Sequence, residues 1–169
     1  MFQDFKELLF ELNAHKVKYL VVGGQAVIHY AQPRTTKDLD ILIQTTPKNA
    51  AAAFQALRAF GAPLRDLTPA DFSKDGSLFA MGNPPVRIDI MSGMKGPTFA
   101  TAWKNRAEVV VDSDMGLTAH FISREDLIVA KLAAGRLQDL ADVDALRQSA
   151  PTDDATPATA EPRRRPRES

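Results

Sequence analysis

The chain has 169 residues, with 44% apolar and 25% charged, which suits one domain around one core. Lys plus Arg and Asp plus Glu are 21 each, a formal net charge of zero, which argues against a generic nucleic-acid coat or a polybasic membrane binder. No cysteine is present, which excludes a disulfide scaffold, a cysteine zinc site and a thiol nucleophile, and fits a reducing cytoplasm.

In chain order, Phe2, Phe5, Leu9 and Leu12 recur at helical spacing, predicting a helix over residues 1–12 with Asn13 at its end. This acidic as well as apolar opening does not read as a signal peptide. Lys16 to Val22 is β-branched and apolar enough for a buried strand. Gly23-Gly24 break it, and Gln25 to Ala31 reads as a short helix that Pro33 prevents from continuing. The uncharged stretch from Tyr19 to Gln32 is 14 residues, too short to span a bilayer; no membrane partner is expected. Asp38 to Ile43 is a second strand, with Asp38, Asp40 and Leu42 on one face and Leu39, Ile41 and Ile43 on the other. Thr46 as N-cap and Pro47 at the first position open an Ala-rich helix that ends at Gly61.

A turn of helix is expected after Thr68-Pro69. Leu78–Met81 and Val86–Met91 predict a hairpin around Gly82-Asn83. In its second strand Arg87, Asp89 and Met91 share a face. A loop over residues 92–97 precedes a short helix near Trp103. Glu108–Val111 and Leu117–Ile122 predict another hairpin. Ser123 with Asp126 forms a capping-box variant opening a helix with Leu127, Ile128, Lys131 and Leu132. Gly135 breaks it before a last helix over Leu137 to Leu146. From Gln148 the chain is Pro-rich without large apolar residues and cannot offset its ordering entropy, so 148–169 is expected to be a disordered tail after a domain of residues 1–147.

Three pieces carry chemistry. Gly23-Gly24 ends a buried strand and opens a helix, where backbone N–H groups and the helix dipole favour phosphate. No Gly-Lys-Ser/Thr follows, so it is not a P-loop, and GxGxxG is absent. Asp38 and Asp40 point the same way from an apolar strand, a costly pair of like charges unless a cation lies between them. All-oxygen ligands favour Mg²⁺ or Mn²⁺. The alternative is a solvated edge strand whose acids pair with Arg34 and Lys37. Asp89 adds a third carboxylate on another apolar strand. Three acids behind a phosphate seat suit metal-assisted transfer on a triphosphate. His15, His29 and His120 lack ligand spacing and read as structural, and Trp103 reads as core.

The pieces VVGG at 21–24, a 13-residue spacer, DLDI at 38–41 and IDI at 88–90 resemble the nucleotidyltransferase superfamily of DNA polymerase β-like fold. The resemblance covers roughly residues 1–147. It is nearest the small prokaryotic branch of minimal nucleotidyltransferases and abortive-infection nucleotidyltransferase toxins. It implies an α/β (α+β) fold, a small mixed sheet flanked by helices. Gly23 and Gly24 would contact the β- and γ-phosphates of a nucleoside triphosphate. Asp38, Asp40 and Asp89 would be catalytic and ligate Mg²⁺ or Mn²⁺, with Asp89 also helping to deprotonate the acceptor hydroxyl. Arg34, Thr36 and Lys37, just before the metal strand, are candidates to hold triphosphate or acceptor, and Lys131 is placed near the nucleotide. Gly24 departs from the family's frequent serine, which removes a hydroxyl contact and keeps the backbone one. Asp139 and Asp142 are expected to bridge Arg136.

The implied function is transfer of a nucleoside monophosphate to a hydroxyl of tRNA or protein, in a cytoplasmic enzyme of a toxin–antitoxin or phage-defence pair with a cognate antitoxin. The alternative on the same fold is a non-catalytic nucleotide-binding or antitoxin-like module. A third reading is a plain α/β interaction protein.

Overall fold

The computed structural model describes residues 1–31 and 34–149. Six strands form one mixed sheet: β1 (Tyr19–Val22), β2 (Asp38–Ile43), β3 (Leu78–Met81), β4 (Arg87–Met91), β5 (Ala107–Asp112) and β6 (Leu117–Phe121), in the order β3-β4-β2-β1-β6-β5. β1 pairs antiparallel with β2 and parallel with β6, and β2 pairs parallel with β4. The outer strands come from the two expected hairpins, β3–β4 and β5–β6, both antiparallel. Six helices surround the sheet: α1 (Gln3–Ala14), α2 (Gly23–Tyr30), α3 (Pro47–Phe60), α4 (Phe99–Lys104), α5 (Arg124–Ala134) and α6 (Leu137–Gln148). The mixed α/β class and flanked sheet match the expectation.

β1 is central and buried along its whole length, which is why its sequence is continuously apolar. Leu39, Ile41 and Ile43 of β2 are fully buried and join Phe5, Leu8, Leu9 and Leu12 of α1 in the core. The expected caps form. Thr46 accepts from Asn49 N at 3.2 Å, Ser123 accepts from Asp126 N at 3.1 Å, and Gly61 and Gly135 are left-handed at the helix ends. The capping box at Ser123 is only half made, because Asp126 accepts instead from Asn105 Nδ2 at 3.0 Å.

Several boundaries move. α1 runs past Asn13 to Ala14, because Asn13 is not a cap. Its side chain donates to the Thr118 carbonyl and accepts from the Tyr19 hydroxyl, tying α1 to the sheet. β1 begins at Tyr19 rather than Lys16, and β4 at Arg87 rather than Val86. The glycine pair lies inside α2 as its first two residues, so strand passes to helix with no loop. The Thr68-Pro69 turn is a short 3₁₀ helix, Pro69–Ser73. α6 reaches Gln148, one residue into the expected tail. The helix-stopping role of Pro33 and the tail from residue 150 lie outside the described residues. No described helix is long and apolar enough to cross a membrane.

Candidate functional site

The strand register sets the site. Val22 is level with Asp40 across β1–β2, and Asp40 is level with Asp89 across β2–β4. The same ladder places Asp38 opposite Arg87. Because side chains alternate along a strand, Asp38 and Asp40 share a face of β2, as Arg87 and Asp89 do on β4. Four side chains therefore form a two-by-two tile of three carboxylates and one guanidinium. Gly23, the residue after Val22, closes the third side. Its φ is +63°, and a Cβ there would lie 2.1 Å from Asp40 Oδ2. Glycine is required twice at that position, by backbone conformation and by the carboxylate. Gly24 is also tight, since its Cβ would come 3.0 Å from Thr36 Oγ1 and 3.2 Å from an Arg34 guanidinium nitrogen.

Burial, then the charges of Asp89 and Asp38, push Asp40 up to about 6, against the pull of Lys131 and Arg87. Arg87 Nε donates to Asp89 Oδ1 at 2.7 Å. That bond, with the three carboxylates around it, raises the Arg87 guanidinium above its ordinary value. Lys131, buried in α5, donates to Asp139 at 3.1 Å and Asp142 at 2.9 Å, both in α6. Arg136 Nε donates to Asp139 at 2.7 Å, and Arg34 donates through Nη2 to Asp142 at 3.2 Å. Burial pushes Asp139 and Asp142 up, but these bonds outweigh it and hold both below the usual carboxylate value.

The tile floors a cleft of about 450 Å³. Gly23, Gly24, Arg34, Thr36, Asp38, Asp40, Asp89 and Lys131 all line it, so eight of the nine expected residues come together. Lys37 does not. Its side chain is exposed and lines a neighbouring groove with Met1, Phe2 and Ile28, a groove that shares Arg34 and Thr36 with the cleft. Arg87, Arg136 and Gln138 line the cleft without having been expected there. For Arg87 the signal was present: it lies two residues before Asp89 on the same strand face. Asp139 bridges Arg136 as expected and also binds Lys131; Asp142 goes instead to Lys131, Arg34 and Gln138. Beside the cleft, and sharing Gly23, Asp40, Asp89 and Lys131, is an apolar pocket of about 280 Å³ walled by Leu78, Met91, Met94 and Leu127.

The donor set fits a hard divalent cation: oxygen ligands only, on adjacent strands, with Asp40 held up by burial and by the charges of Asp89 and Asp38. The carboxylates are not drawn around one point, and among the described residues no three His, Asp or Glu are gathered as a finished metal site. Arg87 holds Asp89 Oδ1, and Asp38 is exposed.

A family model described as "Nucleotidyltransferase of unknown function (DUF6036)" matches residues 1–153. The chain belongs to that family. Among solved structures, the fold is similar to that of an antigenic nucleotidyltransferase-like protein from Paracoccidioides brasiliensis, at 16% identity and a TM-score of 0.52. The match covers 83% of this chain and 72% of that one, and at this identity it speaks to the fold alone. No curated protein matches the chain.

Proposed function

We propose that this DUF6036 nucleotidyltransferase moves a nucleoside monophosphate from a nucleoside triphosphate to a hydroxyl, with tRNA or protein as the favoured acceptor class. The observation that carries the reading is the register that puts Val22, Asp40 and Asp89 level on three adjacent strands, with Gly23 against Asp40 at the first position of α2. Gly23 and Gly24 offer the first N–H groups of α2 to the β- and γ-phosphates. Lys131, Arg136 and Arg34 supply positive charge along the same cleft. The acceptor oxygen attacks the α-phosphorus, the bond to the β-phosphate bridging oxygen breaks, and pyrophosphate leaves. Asp89 takes the hydroxyl proton on a carboxylate oxygen. Asp38, Asp40 and Asp89 would hold Mg²⁺ or Mn²⁺, which when bound offsets phosphate charge and acidifies the acceptor hydroxyl. The work of the chain itself is positioning and charge placement.

The Arg87–Asp89 ion pair favours a second reading, a nucleotide-binding module without turnover, which acts in a toxin–antitoxin or phage-defence pair beside a cognate partner. One assay separates the two. Each of the four α-labelled nucleoside triphosphates is incubated with Mg²⁺ or Mn²⁺ and with total tRNA or lysate protein, beside an Asp38→Ala/Asp40→Ala control. Label moving to an acceptor, and lost in the control, is the expected result. Acid-dependent triphosphate binding with no transfer to any acceptor would leave the binding module standing in its place.

A further inference from the structure

Four cations line the cleft, and three of them are committed elsewhere. Lys131 is buried between Asp139 and Asp142, Arg136 is held by Asp139, and Arg34 by Asp142. Arg87 differs. Among the described residues it is the one cation whose ion-pair partner is a carboxylate of the tile. Register places it opposite Asp38, and strand alternation places it over Asp89. Its side chain is 53% exposed, so the guanidinium can leave without unpacking anything. Exposed ion pairs of this kind are weak and readily displaced.

We infer that Arg87 is a displaceable internal cation: it occupies Asp89 until a divalent metal arrives, and then turns to the triphosphate. The inference rests on the transferase reading of the site. With no metal, three carboxylates on adjacent strands repel, and Arg87 offsets part of that charge. Its Nε bond takes Asp89 Oδ1, an oxygen a metal would need. A doubly charged ion competes for that oxygen and repels the guanidinium. The long side chain then has the anionic ligand of the same cleft within its range, and Arg is well suited to phosphate oxygens. Arg87 thus sets metal affinity and triphosphate affinity in opposite directions, which an ordinary packing role would not do.

The test compares the full chain with Arg87→Gln, Arg87→Lys and Asp40→Asn, each first shown to fold by thermal melting. Free Mn²⁺ is followed by electron paramagnetic resonance, and inorganic tripolyphosphate with saturating Mn²⁺ by calorimetry, so no base preference or acceptor enters. Arg87→Gln should bind Mn²⁺ about two- to fivefold more tightly and bind tripolyphosphate several-fold more weakly. Arg87→Lys should bind tripolyphosphate more tightly than Arg87→Gln does. Asp40→Asn should lose Mn²⁺. An Arg87→Gln protein with unchanged or weaker Mn²⁺ affinity, or with unchanged tripolyphosphate affinity, overturns the displacement model alone. Absence of Mn²⁺ binding in both the unaltered chain and Arg87→Gln overturns it together with the transferase reading. The opposed shifts, found in a protein that transfers no label, would support the displacement model while removing the transferase.

Discussion

At the scale of single residues, the site is a set of local costs. Gly23 carries two of them. Gly23→Ala needs a positive φ, and its methyl would press on Asp40 at 2.1 Å. The variant should lose about 1–3 kcal/mol of stability and most triphosphate binding, read by denaturant melts and calorimetry. A folded Gly23→Ala protein that binds triphosphate as before would remove the phosphate seat from this position. Asp40 presents the opposite balance. Its carboxyl is pushed up to about 6, first by burial, so above that pH the folded state carries a charge that costs it stability relative to the unfolded chain. Removing the charge should therefore stabilise the metal-free protein. Asp40→Asn is expected to gain on the order of 1–2 kcal/mol at pH 8 while losing transfer. A lower melting temperature than the unaltered chain at pH 8 would show that Asp40 is not under net repulsion. Much of this was legible in the sequence, because a DxD spacing on a strand fixes a shared face. Lys37, the one expected residue that does not line the cleft, lies just before β2 with its side chain exposed.

At the scale of elements, α5 and α6 form a hairpin whose inner contacts are ionic. Lys131 spans from one helix to two carboxylates on the next, both almost fully buried. Lys131→Met keeps the length and removes the charge, leaving Asp139 and Asp142 short of a partner. Breaking a buried pair this way typically costs about 3–5 kcal/mol, so the variant should melt well below the unaltered chain. The network also sets the acid limb. Both carboxyls lie below their ordinary value of 3.8 in the folded state, which gives stability that is complete above that value. That stability drains as the pH falls below 3.8 through the lower folded values, and Asp139→Asn should flatten that part of the profile. An Asp139→Asn protein with an unchanged slope between pH 4 and 2 would assign the acid limb to other groups. The hairpin itself was legible from Ser123, Gly135 and the periodic leucines. Its ionic interior was not, because Asp139 and Asp142 read as partners for Arg136 until α5 places Lys131 between them. Sequence spacing reports which residues share one helix face, and it is silent on which other helix that face meets.

At the scale of the whole molecule, the site depends on strand order. β1, β2 and β4 are neighbours although β3 and a helix separate β2 from β4 in the chain. Both hairpins and the ends of β2 could be placed from local pattern, but the order β3-β4-β2-β1-β6-β5 is a long-range choice made by burial of β1 between β2 and β6. Only that choice makes Val22, Asp40 and Asp89 level and sets Gly23 against Asp40. A ligand that touches Gly23, Asp40 and Asp89 would tie β1, α2, β2 and β4 together, and through Lys131 would reach α5 and α6. Stabilisation by such a ligand follows mass action, about 2.7 kcal/mol at a hundred times its dissociation constant. For a chain of this size that corresponds to a rise in melting temperature of roughly 5–10 °C. The rise should require triphosphate and Mn²⁺ together and exceed the sum of their separate effects, because each places charge that the other offsets. It should vanish in Asp38→Ala/Asp40→Ala, which still folds, since neither side chain is part of the core. Equal shifts in that double variant would place the ligand elsewhere on the molecule. A shift with triphosphate alone, unchanged by added metal, would show that the arginines and Lys131 hold the phosphates without the carboxylates, and the three-strand register would then have no part in binding.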